Sequence, residues 1–273
     1  MSPPKRASAP PPASLTDELS SQAGNPDFVL SLARGLCVIE SFEGHHDGRS
    51  IVEIAQSTGL SRASVRRLLL TLELVGYVER NRQVYRLKTQ VLRLGFSYLS
   101  SSSVVEAARP VLERITEQLH ESSSMSMLDA GQIVYVARSA ASRVLAGGLS
   151  VGSRLPAYCT SMGRVLLAAL PDEKLATYLR DLKPRAYTPK TLIRIPQIKK
   201  AILQARKDGY AIVDEELEAG LRSIAVPVST RSNQVVAAIN VGTHISRVDR
   251  TTLMKRCLPE LQEGARTLRN ILI

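Results

Sequence analysis

Apolar residues recur at helical spacing over Leu32, Leu36, Ile39 and Phe42, which predicts a first helix over Phe28–Phe42, opened by Asn25-Pro26-Asp27. Two shorter helical runs follow in Ser50–Leu70, SIVEIAQSTGLSRASVRRLLL. Ser50 and Glu53 have capping-box spacing, Gly59 supplies a left-handed stop, and Ser61 is placed to cap the next helix. Val65, Leu69 and Leu72, with Leu68 beside them, form the buried stripe of that helix. Ala63, Ser64, Arg66 and Arg67 therefore project to its other faces, with Arg62 near the amino end, while Leu70 falls awkwardly on the outward arc. Tyr77–Arg80 and Gln83–Leu87 read as short strands around Asn81-Arg82, a hairpin. Three helices and a basic hairpin make a winged helix-turn-helix. A helix anchored on one side and carrying arginines on the other suits a DNA major groove. Arg80 and Arg82 stand at the wing tip, within reach of phosphates or the minor groove, and Tyr85 is read as a further wing contact. The alternative is a solvated basic face with a hairpin that only stabilises the helices.

Beyond the hairpin, Thr89–Leu99 is helical in pattern and runs into Ser100–Ser103, a hinge or linker. Val104–Glu121 resumes a helix, with Pro110 as a kink or restart. Both helices suit dimer contacts, the second equally well packing on its own domain. From Ser123 the pattern changes to strands mixed with helices. Strands are expected at Met125–Leu128, Ile133–Arg138, Val144–Leu149, Ala211–Asp214, Ile224–Val228 and Val235–Thr243, with Ser150–Pro156 as a loop. Helices are expected at Ser161–Ala169, Asp172–Asp181, Pro196–Lys207 and Asp249–Leu272, the last interrupted by Pro259. This order suggests an α+β sheet with helices on its faces.

Charge sharpens the first half. The 273-residue chain carries a formal net charge of +11, which points to a polyanion, nucleic acid first. Between Ser61 and Arg93 eight Lys/Arg stand against two acids, so more than half of the excess lies in and just after the helix pair. Aromatic residues are 4% with no Trp, which argues against a single-strand RNA binder built on base stacking. Cys37, Cys159 and Cys257 are odd in number and far apart, fitting neither a disulfide framework nor a zinc site, so a reducing cytoplasm is the expected compartment. Residues 1–25, rich in Pro, Ser and Ala, read as a disordered tail without a signal-peptide centre.

In the second half, Thr160-Ser161-Met162-Gly163 opens a helix whose free amides favour a carboxylate or phosphate. Tyr158 and Met162 could wall a pocket there, with Ser223 and Asn240 completing its polar contacts. An ordinary capped helix is the alternative. Asp214, Glu215 and Glu216 are consecutive, so on a strand they cannot converge, and a salt-bridged loop with Arg222 is expected. G-x-S-x-G, H-E-x-x-H and phosphate-loop patterns are missing, so no catalytic residue, cofactor or metal is assigned. Competing readings are a small-acid hydrolase relying on Cys159 or Asp214, and a metal sensor using His45, His46 and the acidic run.

The segment LARGLCVIESF…SIVEIAQSTGLSRASVRRLLLTLELVGYVER resembles the DNA-binding domain of IclR-type bacterial transcriptional regulators. GSRLPAYCTSMGRVLLAAL, DGYAIVDEELEAGLRSIAVPV and VVAAINVG are similar to that family's effector domain, most of all in the branch that regulates aromatic-acid catabolism through protocatechuate, β-ketoadipate or p-hydroxybenzoate. The resemblance implies a winged domain at 26–88 with its helix pair at about 50–69, a linker helix at 89–103 and a GAF-like effector domain at 104–273. It implies a dimer or dimer of dimers on double-stranded operator DNA, responding to a small organic acid, with RNA polymerase as a further contact. It places the effector pocket at Ser161, Met162, Asp214, Leu221, Ser223, Asn240 and Gly242. One departure stands out: some members carry a compact Gly-Ala pair where this chain has Ser161-Met162. The family contains both repressors and activators.

Overall fold

A computed structural model describes residues 22, 24–141 and 149–272. The tail expected over 1–25 and the strand expected at Val144–Leu149 lie for the most part outside the described residues. The chain divides into two compact units, Met1–Tyr98 and Leu99–Ile273, each described here by itself.

The first unit holds helices α1 (Leu30–Glu40), α2 (Ile51–Thr58) and α3 (Arg62–Leu74) and strands β1 (Arg49–Ser50), β2 (Val78–Asn81) and β3 (Val84–Leu87). The hairpin β2–β3 gains β1 as a third antiparallel strand, Arg49 opposite Tyr85 and Ser50 opposite Val84. Two residues before a helix give no periodic signal, so this strand is invisible in the pattern. Ser50 and Glu53 form the full capping box of α2, and Gly59 ends it at φ 69°. The Ser61 hydroxyl caps α3 by accepting from the Ser64 amide at 3.2 Å. Val38, Phe42, Ile54, Val65, Leu69, Val78 and Tyr85 form the core. Arg49 fastens its rim, donating to the carbonyls of Ser41 (2.5 Å) and Glu53 (2.8 Å).

After a 3₁₀ turn at Thr89–Val91 comes α4 (Leu92–Ser101), then α5 (Ser103–Leu119), so the serine run is a one-residue break at Ser102. Pro110 lies inside α5 without ending it.

The second unit is a six-stranded antiparallel sheet in the order β6-β5-β4-β9-β8-β7. Its strands are β4 (Ser122–Asp129), β5 (Gln132–Ser139), β6 (Arg154–Pro156), β7 (Ala211–Asp214), β8 (Leu221–Ser229) and β9 (Val235–His244). Strand β6 falls in the segment expected to be a loop. Three residues ending in proline are too short to show alternation, and only the pairing with β5 reveals them. The β4–β5 turn places Ala130 and Gly131 at positive φ, as a two-residue hairpin requires. The helices are α6 (Ser161–Ala168), α7 (Asp172–Asp181), α8 (Ile195–Asp208) and α9 (Leu258–Ile271). Before α9 comes a helical turn at Arg250–Thr252 and a π-helical turn at Leu253–Cys257. Proline has no amide to donate, and Pro259 follows directly on this wider turn.

Strand alternation gives the sheet two cores. On one face Met125, Ile224, Ile239 and Val241 pack with Leu112 and Ile115 of α5 and Leu261 and Leu268 of α9. On the other, Ile133, Tyr135, Ala225 and Ala238 pack with Met162 and Leu167 of α6 and Ile198 and Ile202 of α8.

Candidate functional site

In the winged unit, Ser61, Arg62, Ala63, Arg66 and Arg67 are exposed, and Ser64 is half-buried. Arg80 and Arg82 are exposed at the hairpin tip, where the Arg80 Nε donates to the Arg82 carbonyl at 2.9 Å. Among the described residues none of Arg62, Arg66, Arg67, Arg80 and Arg82 enters an ion pair, so five guanidinium charges on α3 and the wing lack an acidic partner. Tyr85 corrects the sequence reading. It is only 5% exposed and belongs to the hydrophobic core of the unit, with Arg80 stacked 5.9 Å over its ring. It supports the wing and presents no contact surface of its own. Arg86 faces Asp47, donating to its carbonyl at 3.2 Å.

In the second unit, register decides which candidates meet. Arg138 of β5 pairs with Ser124 of β4, Ser124 with Asn240 of β9, and Asn240 with Ala225 of β8. Paired residues share a face, and Ala225 packs in the α6–α8 core, so this polar row looks toward α6. One step along one side, Ser126 pairs with Ala238, and its hydroxyl donates to the Met162 thioether at 3.2 Å. One step along the other side, Gly242 pairs with Ser122 and Ser223. A Cβ built on Gly242 would meet nothing within 4 Å, so open space borders the row there. Leu221 shares the parity of Ser223 and is half-buried.

Two polar atoms in this region are buried without a partner: the Ser161 hydroxyl at the start of α6 and the Asn240 side-chain carbonyl. Their residues are 1% and 8% exposed. Thr160 caps α6 by accepting from the Gly163 amide at 3.2 Å, which leaves the amides of Ser161 and Met162 at its positive end. Gly163 is required by close packing, since a Cβ there would run into the Ala157 carbonyl and the Thr160 hydroxyl.

Asp214 does not belong to this group. It pairs with Arg222 one step from the Ile212–Ile224 pair, and both isoleucines pack on the α5–α9 face. Strand alternation by two residues puts Asp214 on that face also, across the sheet from Ser161. There it is held by the Arg222 guanidinium, with Arg250 3.8 Å away. The three consecutive acids thus part company. Glu215 meets Lys190, whose ammonium holds its carboxyl below the usual range. Glu216 is buried against Arg164 of α6 at 2.7 Å and also accepts from the Leu192 amide at 3.2 Å. Only the first of them bonds Arg222, so the expected single salt-bridged loop is three separate contacts.

Tyr158 is buried beside α6, but its hydroxyl is committed: it donates to the Arg185 carbonyl (2.5 Å) and accepts from the Arg185 amide (2.8 Å). It fixes the 182–194 connection and offers only its ring to a pocket wall. Cys159 is buried, and burial pushes its thiol up to about 12, with Glu216 adding to the effect. A thiol held neutral is a poor nucleophile. With Asp214 facing the other way, the hydrolase reading has no reactive group at the site.

Arg138 is the residue the sequence reading passed over. Its Nη1 reaches the Ser124 hydroxyl at 3.5 Å, so the guanidinium leans over β4, and among the described residues it has no carboxylate partner. An arginine at a strand end carries no periodic signal. Only the register brings it beside Asn240.

Among the described residues no helix is long and apolar enough to cross a membrane, and the three cysteines are unpaired. Residues 31–82 match the family model of the IclR helix-turn-helix domain, and residues 96–270 that of the bacterial transcriptional regulator IclR C-terminal domain. The Pca regulon regulatory protein of Pseudomonas putida is 46% identical over 268 residues, 97% of this chain and 92% of that protein. The p-hydroxybenzoate hydroxylase transcriptional activator of Acinetobacter baylyi is 33% identical over 257 residues, 92% of this chain and 95% of that protein. Among solved structures, a Rhodococcus sp. RHA1 transcriptional regulator is 46% identical with a TM-score of 0.79, over 90% of this chain and 98% of that one. The inducer-binding domain of the Acinetobacter PobR transcription factor, a double mutant in complex with 3-hydroxybenzoic acid, is 30% identical with a TM-score of 0.59, over 61% of this chain and 98% of that one. With both halves matched in order, a DNA-reading winged unit and an α+β effector unit, this chain belongs to the IclR family of bacterial transcriptional regulators.

Proposed function

We propose that this regulator binds operator DNA as a dimer or dimer of dimers and senses a small organic acid between α6 and the sheet, controlling genes of aromatic-compound catabolism. The observation that carries the sensing role is the pair of buried, unpartnered polar atoms, Ser161 Oγ and Asn240 Oδ1, beside open space at Gly242. A buried polar atom without a partner costs about 1–3 kcal/mol, and an acid recovers that cost when its carboxylate accepts from the Ser161 hydroxyl and a hydroxyl of its own donates to the Asn240 carbonyl. The names of the relatives, for the pca regulon, p-hydroxybenzoate hydroxylase and 3-hydroxybenzoic acid, support aromatic catabolism as the setting. Ser161, Met162, Ser223, Asn240 and Gly242 form the pocket, with Leu221 at its edge and the Tyr158 ring on its wall. Ser61, Arg62, Ala63, Ser64, Arg66 and Arg67 face the major groove, and Arg80 and Arg82 serve the wing.

Self-association is supported by apolar residues left exposed on α1 (Val29 just before it, Leu32, Leu36) and on α4 (Leu92, Leu94). Helix α5, by contrast, buries Val105, Ala108, Leu112 and Ile115 within its own unit. Ligand closing the pocket shifts α5 and alters the spacing of paired recognition helices, which sit about 34 Å apart, or a multiple of that, on two-fold sites. The test is a thermal-shift screen of aromatic and dicarboxylic acids on the full chain, followed by binding to duplexes selected from a random pool, with and without the acid that shifts melting. Selected DNA that binds more or less tightly with the acid supports the reading. Unchanged affinity and footprint would transfer the response to a polymerase contact.

A further inference from the structure

Of the formal net charge of +11, residues 99–273 carry +8, with 24 Lys/Arg against 16 Asp/Glu. All of that excess falls in one stretch. Residues 182–207 hold eight Lys/Arg and no acid, and the rest of the unit balances at sixteen of each. Two of the eight are spent within the unit, Lys190 on Glu215 and Arg206 on Asp172. Among the described residues the other six, Lys183, Arg185, Arg194, Lys199, Lys200 and Lys207, are exposed and enter no ion pair. Helix α8 carries the middle of this patch. Its inward side buries Ile198, Ile202 and Ala205. Seven residues make nearly two turns, so Lys200 and Lys207 stand in line on the opposite side, about 10 Å apart along the axis, with Leu203 between them. Leu203 is exposed, as is Ile193 just before the helix. The one carboxylate of α8, Asp208, accepts from Gln204 at 2.8 Å and offsets neither lysine. At the amino end the first turn has no acid, and Arg194 stands at the cap, against the helix dipole.

A solvated helix face ordinarily interleaves both signs three or four residues apart. A face of one sign with apolar side chains set into it has the chemistry of half an interface. A second copy of the same face would bring like charges together, which opposes self-association through it. Nucleic acid would meet the lysines but leave Leu203 and Ile193 against phosphates and water. We infer that this face of α8 docks an acidic amphipathic helix of another protein. The partner lies along the line, its carboxylates seven residues apart meeting Lys200 and Lys207, and an apolar side chain between them covers Leu203. The surrounding cations steer the partner, and the covered leucine sets the preference for an apolar residue. The surface is separate from the effector pocket, because α8 turns its other side, Ile198 and Ile202, into the core it shares with Met162 and Leu167 of α6.

Fluorescence anisotropy on the full-length protein at fixed ionic strength tests this with two labelled helical peptides of equal charge. Both carry glutamates seven residues apart, one with leucine between them and the other with glutamine. A saturating random-sequence duplex is present throughout, to occupy the winged unit. The leucine peptide is expected to bind about five-fold or more tightly than the glutamine peptide. Replacing both lysines, Lys200→Gln with Lys207→Gln, should weaken the leucine peptide about ten-fold or more. Leu203→Gln should remove the preference for leucine while changing the affinity of the glutamine peptide less than two-fold. Melting and duplex affinity of each variant check that the fold and the DNA contact are kept, and the lysine variant with the peptide pair carries the test if Leu203→Gln does not fold. Equal binding of the two peptides to the native protein would reveal screened charge alone and sink the inference. A lysine variant that binds like the native protein overturns it as well. Binding seen only when the duplex is left out assigns the face to nucleic acid, and no binding of either peptide returns it to solvent; the inference is wrong in both cases.

Discussion

Among the described residues Arg66 and Arg82 are both exposed and outside any ion pair, yet their positions suit different work. Arg66 lies on the exposed face of a helix anchored by the buried Val65 and Leu69, which suits the proposed groove contact. If it reads a guanine, Arg66→Ala costs about 1–3 kcal/mol on the selected site and relaxes preference at one base pair. Equal loss on random DNA in the same anisotropy titration would make it a phosphate contact. Arg82 sits in the hairpin turn at φ 57°, where the backbone lifts its side chain clear of the sheet. Arg82→Ala is expected to lower the slope of log affinity against log salt by about 0.9, the signature of one phosphate released. Leu70, one helical turn beyond Arg66 and Arg67, is 56% exposed, so the outward arc of α3 carries an apolar side chain beside its arginines. In the second unit, the buried Arg164–Glu216 pair joins α6 to the corner after β7, and Glu216 also holds the Leu192 amide. Glu216→Ala leaves a guanidinium buried alone and should cost about 3–5 kcal/mol in urea unfolding, whereas replacing both partners by apolar residues of similar volume should cost far less.

At the scale of elements, the start of α6 is where stability and the proposed sensing coincide. Gly163 lets the helix approach the 3₁₀ turn at Ala157–Cys159 so closely that no Cβ fits against the Ala157 carbonyl. Because that obstacle is backbone, the helix must move to admit one. Gly163→Ala should therefore cost about 1–3 kcal/mol and weaken acid binding with it. Calorimetric melting beside ligand titration checks this, and unchanged ligand affinity in a destabilised protein would separate the two roles. Elements of this kind were largely legible in the chain. Caps at Ser50 and Ser61 and the stop at Gly59 are local, since each depends on residues within one helical turn. The strands β1 and β6 were not, because two or three residues show no period. Asp214 and Arg138 escaped for a related reason. Which face of a sheet a residue occupies depends on the register of the whole strand, and a strand end in sequence does not announce it. Tyr85 shows the same limit in the wing, where alternation over four residues left its inward side undecided until β1 paired against it.

For the whole molecule, sensing requires that acid binding and DNA binding be linked, and linkage has a quantitative form. If the acid changes operator affinity by some factor, operator must change acid affinity by that same factor, whichever helices carry the signal. Family membership leaves the sign open, so the test must not depend on it. Titrating the acid into free protein, and into protein saturated with selected duplex, gives one ratio. Titrating duplex with and without saturating acid gives the other. We expect the two ratios to agree, and to lie between about 5 and 150, the range usual for coupled sites. Acid at about a hundred times its dissociation constant should also stabilise the ligand-binding unit by about 2.7 kcal/mol, provided the unfolded chain does not bind it. The Ser161→Ala variant then separates two ways in which the response can fail. A variant that binds acid weakly but keeps the full ratio once saturated has lost only recognition. One that binds acid and shows a ratio of one has lost the path from the pocket to DNA, and in that case the Ser161 hydroxyl drives the conformational change as well as holding the ligand.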